Sequence, residues 1–98
     1  MAKQVSDDKA FWFCKSSGSI GKGAHNLIEF SERIKTVPIE SLEFHIRENK
    51  NDFETWLIKI MEEPKLAEEV RNIKSKGLKG EALKASMNKF AKKIAKSA

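Results

Sequence analysis

The apolar positions of this chain fall into separate stretches, and all but the first repeat with the period of a helix. The first, Ala10-Phe11-Trp12-Phe13-Cys14, is an unbroken apolar run with three aromatics. A run this short reads as a buried strand or an extended anchor. No later segment has a strand pattern that could pair with it, so it is expected to lie as an extended N-terminal apolar segment. If Phe11 and Phe13 turn inward from such a segment, Trp12 turns outward, to cap the core, sit under the last helix or meet a partner. The serine- and glycine-rich residues 15–23 read as a loop.

Five helices are expected after it. Leu27, Phe30 and Ile34, then Val37, recur at helical spacing over 24–36. Pro38 stops that helix and suits the first turn of the next, 38–48, with Ile39, Leu42 and Ile46 on one face. Phe44 falls partly off that face, and His45 lies beside it. After the polar turn Glu48-Asn49-Lys50-Asn51, Asn51 and Glu54 have the spacing of a capping box for a third helix, 52–61. Its Phe53, Trp56, Leu57 and Ile60 form the clearest core stripe in the chain. Pro64 opens a fourth helix, 64–75, with Leu66, Val70 and Ile73 inward. Gly77-Leu78-Lys79-Gly80 interrupts the pattern before a fifth, 81–96, in which Leu83, Met87, Phe90 and Ile94 line one sector. The pattern predicts a mainly α fold, a compact bundle of four to five short helices. It divides the chain into a flexible N-terminus (1–9), a helical core (10–75), and a linker plus lysine-rich amphipathic C-terminal helix packed on that core (76–98).

Composition narrows the class. With 40% hydrophobic and 34% charged residues in 98, the chain has enough apolar side chains to offset the entropy of folding one small domain. No apolar run approaches the roughly 20 residues that cross a bilayer. A single cysteine, Cys14, excludes an internal disulfide, and the N-terminus has no secretory pattern, so a cytoplasmic location is expected. The net charge of +5 is unevenly placed. From Lys74 onward there are eight lysines and one acid, a net of +7, whereas residues 1–73 carry 11 basic and 13 acidic groups, a net of −2. The basic character belongs to the tail.

Candidate chemistry is sparse. The segment from Gly18 to Gly23 follows an apolar run and precedes a helix, the order a phosphate-binding loop needs. It departs from the Walker pattern, since Ser16 stands where the first glycine belongs and Gly23 where a Ser or Thr belongs. Ser19-Ile20-Gly21-Lys22 spells a short S-x-x-K without its supporting elements. Cys14 within an aromatic run reads as a small packed hydrophobe rather than a nucleophile. His25, His45 and the scattered acids show no metal-ligand spacing, so neither metal nor cofactor is expected. His45 is read as a buried histidine bonded to Asp52 or a backbone carbonyl.

The order FWFC, then HNLIEFSERIKTVPIESLEFH, NDFETWL and KLAEEVRNI resembles a family of small prokaryotic domains, mostly archaeal, of unknown function. The resemblance rests on Phe11, Phe13, Leu27, Glu29, Phe30, Val37, Ser41, Leu42, Glu43, Phe44, His45, Asp52, Phe53 and Trp56. It continues to Gly80, Glu81 and Leu83, so it covers about residues 10–83. It implies a compact helical domain and supplies no activity.

The best functional candidate is therefore the last helix. Lys84, Lys89, Lys92, Lys93 and Lys96 are expected to serve a polyanion such as rRNA or DNA, in a ribosome or elsewhere, and Trp12 is a candidate partner contact. The expected function is a non-enzymatic binding module. The alternatives are a protein–protein adaptor without a nucleic-acid role and a small nucleotide- or phosphate-binding domain using the Gly18–Gly23 segment.

Overall fold

The computed structural model of the chain describes residues 3–47 and 50–97. Two strands, β1 (Phe11–Lys15) and β2 (Gly18–Ala24), form an antiparallel hairpin. Lys15 faces Gly18, so Ser16 and Ser17 alone make the turn. The aromatic run is thus not an unpartnered extended segment. It is the first strand of a hairpin, and the stretch read as a loop is its mate.

The mate escapes a pattern search for a physical reason. β2 reads GSIGKGA, with Ile20 as its one large apolar residue, so no alternation marks it. Its glycines fit it to β1 instead. The register shifts between Phe13 and Cys14, which face Lys22 and Ser19, and the shift leaves Ile20 and Gly21 on β2 without cross-strand partners. Gly21 has φ +74°, a conformation that favours glycine within a bulge. Gly23 has the indole of Trp12 across it, where a Cβ would come within 2.6 Å of a ring carbon.

Five helices follow: α1 (Leu27–Thr36), α2 (Ile39–His45), α3 (Asp52–Lys59), α4 (Pro64–Ser75) and α5 (Gly80–Ser97). Between α2 and α3 a short ladder pairs β3 (Ile46–Arg47) with β4 (Lys50–Asn51); the other half of the expected polar turn, residues 48–49, lies outside the described residues. The fold is mainly α. Asn26 caps α1 by accepting the Glu29 N–H at 2.8 Å, and Glu29 returns by accepting the His25 N–H at 2.8 Å. Asn51 caps α3 by accepting the Glu54 N–H at 3.1 Å, the first half of the expected capping box, while the Glu54 carboxylate accepts from Arg71 at 2.8 Å. Pro64 occupies the first turn of α4, where its missing N–H costs nothing. After α4, Gly77 takes φ +65°, which reverses the chain toward α5.

One core draws on the hairpin, β3 and all five helices. Phe11 and Phe13 of β1 meet Phe30 of α1 and Phe53 and Trp56 of α3, with ring centroids 4.9–6.0 Å apart. The Trp56 indole N–H reaches the Lys9 carbonyl at 2.9 Å, so its polar edge is satisfied while its face is buried. Leu66, Val70 and Ile73 of α4 and Leu83, Met87, Phe90 and Ile94 of α5 fill the same core, as their spacing predicts. Ile39 and Ile60 are only half-buried. The described part of residues 1–9, expected to be flexible, is bonded to the body: Val5 donates to the His25 carbonyl at 2.8 Å and Lys3 to the Ile60 carbonyl at 2.7 Å.

Candidate functional site

α5 spends its apolar side on the core and turns its lysines outward. Leu83, Met87, Phe90, Ala91 and Ile94 are buried against the rest of the domain. Lys89, Lys92, Lys93 and Lys96 are exposed. At about 100° per residue these four span an arc of roughly 100° on the helix. Lys84, the fifth candidate, sits about 80° beyond that arc and is half-buried, so the structure does not bring it to the same face. Acids are few here: Glu81 is the one acid of α5, and Glu69 of α4 bonds Lys93 at 2.5 Å.

Where α4 and α5 run side by side, a groove of about 330 Å³ has Phe90 and Ile73 along it, with Lys89 and Lys93 from one helix and Lys76 from the end of the other. Lys76 was not among the expected residues. It lies just past the last turn of α4 and off its apolar stripe, so only the fold shows that it joins the lysines of α5.

Trp12 does face outward, with 42% of its surface exposed. Its indole is nonetheless held in place: the ring lies across Gly23, and its N–H reaches the Asp7 carbonyl at 2.9 Å. The ring edge of His25 stands 6.0 Å from it. His25 itself bridges Asp7 at 2.6 Å and Glu29 at 2.9 Å, and these two carboxylates hold its pKa above the ordinary histidine value.

The groups with the most chemical potential are engaged in structure. His45 is buried, its Nδ1 is 2.7 Å from Asp52 Oδ2, and its Nε2 accepts the Cys14 backbone N–H at 2.9 Å. An accepting Nε2 places the proton on Nδ1, pointing at Asp52, so the ring is neutral and ties α2, α3 and β1 together. Burial lowers its pKa, opposed by Asp52 and aided by the charges of Lys50 and Arg47. Protonating Nε2 would also set an N–H against the Cys14 N–H. Of the two partners expected for His45, Asp52 is the one found. Cys14 is half-buried, with its Sγ 3.5 Å from the Trp12 carbonyl. Among the described residues, no group of three or more His, Cys, Asp or Glu side chains converges as a metal site would. The Gly18–Gly23 segment is a strand paired with β1 rather than a loop, so the strand–loop–helix order of a phosphate cradle is not the order found. Among the described residues, no helix is long and apolar enough to cross a membrane.

Several residues that carry the family resemblance bond to one another. Glu43 accepts the Gly80 N–H at 2.8 Å, His45 meets Asp52, and Phe11, Phe30, Phe53 and Trp56 share one cluster. The chain belongs to a family of unknown function, DUF5752, whose pattern matches residues 1–92. No curated protein and no solved structure matches it.

Proposed function

For this family member we propose a non-enzymatic binding module that holds a polyanion, rRNA or DNA, on the outer face of α5. The observation that carries the reading is the division of labour on that helix. Its apolar stripe is consumed by the core, while Lys89, Lys92, Lys93 and Lys96 share an exposed face with Lys76 beside it. Such lysines neutralise phosphates and release counterions without reading sequence. No arginine follows Arg71, so bidentate recognition of bases is not part of the proposal. The two histidines serve as structural ties, which supports a binding rather than a catalytic role.

The test is a salt titration. Replacing Lys89, Lys92, Lys93 and Lys96 with glutamine keeps good helix formers and the apolar stripe, so the fold survives. The Lys93–Glu69 ion pair that is lost lies at the surface and is worth at most about 1 kcal/mol. Affinity for mixed RNA and duplex DNA should fall, and the log–log salt slope should shrink by roughly 0.7–0.9 per lost phosphate contact. If the unaltered protein shows no binding even at low salt, the polyanion reading fails and a protein adaptor takes its place.

A further inference from the structure

Beside the α4–α5 turn a larger cleft, about 520 Å³, opens between that turn and the end of α2 with β3. We infer that this cleft binds a phosphate-bearing small molecule with an apolar body, of the mononucleotide class, at a site separate from the outer face of α5.

The cleft has the size of a small-ligand site, about 300–1,000 Å³ in proteins generally. Its cations come from three parts of the chain: Arg47 from β3, Lys74 from α4 and Lys79 from the turn. Ile46 and Leu78 supply apolar lining for the body of a ligand. Among the described lining residues Glu43 is the one acid, and its carboxylate is already engaged by the Gly80 N–H at the start of α5. The negative group among the described lining residues is thus turned to a structural task, while Arg47 and Lys79 stand in the same lining. Arg47 is partly preorganised, because its guanidinium carbon lies 4.8 Å from the centroid of the half-buried Phe44 ring. Preorganisation of this kind lowers the entropy lost on binding. The backbone is approachable as well: nothing lies within 4 Å of the space a Cβ on Gly77 would fill. An anionic head held by the cations, and a flat or apolar body against Ile46 and Leu78, is the chemistry this arrangement selects.

The probe is AMP, with inorganic phosphate and adenosine as separate arms, followed by backbone amide NMR shifts of the full chain. AMP should give saturable shifts at Ile46, Arg47, Gly77, Leu78 and Lys79, and each half-ligand alone should bind more weakly. Arg47→Gln and Lys79→Gln should each weaken AMP about tenfold, the scale of one hydrogen bond to a charged group. Glu43→Gln keeps an acceptor for Gly80 while removing the negative charge, so AMP should bind roughly threefold tighter. The absence of saturable shifts up to about 10 mM AMP, beyond the weak end of specific binding, would overturn the inference. So would shifts confined to Lys89, Lys92 and Lys96 and indifferent to these substitutions. Cleft shifts produced by RNA but not by AMP would also overturn it, by giving the cleft to the polyanion.

Discussion

Gly23→Ala is the substitution whose cost the structure lets one work out most directly. A Cβ at this position would stand 2.6, 2.8 and 2.9 Å from three carbons of the Trp12 ring. Carbon atoms pack best at about 3.5–4.0 Å, so the ring must retreat by about 1 Å. Retreat pulls the indole N–H from the Asp7 carbonyl, 2.9 Å away. Overpacking of this kind costs about 1–3 kcal/mol, and in a domain of this size 1 kcal/mol moves Tm by about 4–8 °C. Gly23 has no positive φ, so alanine meets no backbone penalty and gains a little by restricting the unfolded chain. The cost should therefore vanish when the ring is removed. The assay is urea unfolding followed by circular dichroism in a double-mutant cycle of Gly23→Ala and Trp12→Ala. Gly23→Ala should destabilise the native chain by about 1–3 kcal/mol and cost at least about 1 kcal/mol less in the Trp12→Ala background. Equal costs in the two backgrounds would refute the claim that glycine is needed because the indole crosses it.

Trp56→Ala should cost about 3–5 kcal/mol, since it removes a buried aromatic from the centre of the cluster; thermal stability near that of the native chain would place Trp56 outside the core. The two histidines should titrate on opposite sides of the ordinary value of about 6.5 in NMR, His25 above it and His45 below. The His25 contribution is present below about pH 6.5 and is lost as pH rises through its folded pKa, whereas that of His45 is present above about pH 6.5 and is lost as pH falls toward its folded pKa. In a His25→Ala variant stability should therefore decline as pH falls below about 6.5, and a His45 resonance titrating above 6.5 would contradict the neutral, Asp52-bonded ring.

How far the sequence is legible follows from what each element uses to define itself. The helices announce themselves through apolar spacing and end signals, and the stripes of α3, α4 and α5 are buried largely as their spacing predicts. The start of α1 was within reach, because Asn26 and Glu29 have the same spacing as Asn51 and Glu54. β2 was not, since its fit to β1 depends on a missing side chain at Gly23 and a positive φ at Gly21, and neither produces a hydrophobic pattern. The lysines of α5 were visible as a charge run. Lys76 beside them, and the cleft that brings Arg47 together with Lys74 and Lys79, exist only once α4 has turned back into α5.

This distribution bears on where recognition can occur. The aromatic rings that could stack on a base, Phe11, Phe13, Phe53 and Trp56, are buried in the core, and Phe44 carries Arg47 and Lys50 on its ring at 4.8 and 4.5 Å. Trp12 is the exposed aromatic among the described residues, and its ring is held between Gly23 and the Asp7 carbonyl. A stacking platform of the kind that binds single strands needs aromatics beside a basic track. Trp12 lies on the hairpin and is tied to residues 7 and 25, while the lysine face belongs to α5. Binding through α5 would then rest on phosphate contacts alone, which predicts little preference among RNA sequences and a steep dependence on salt. A marked preference for one sequence would require a reading element that these lysines do not supply.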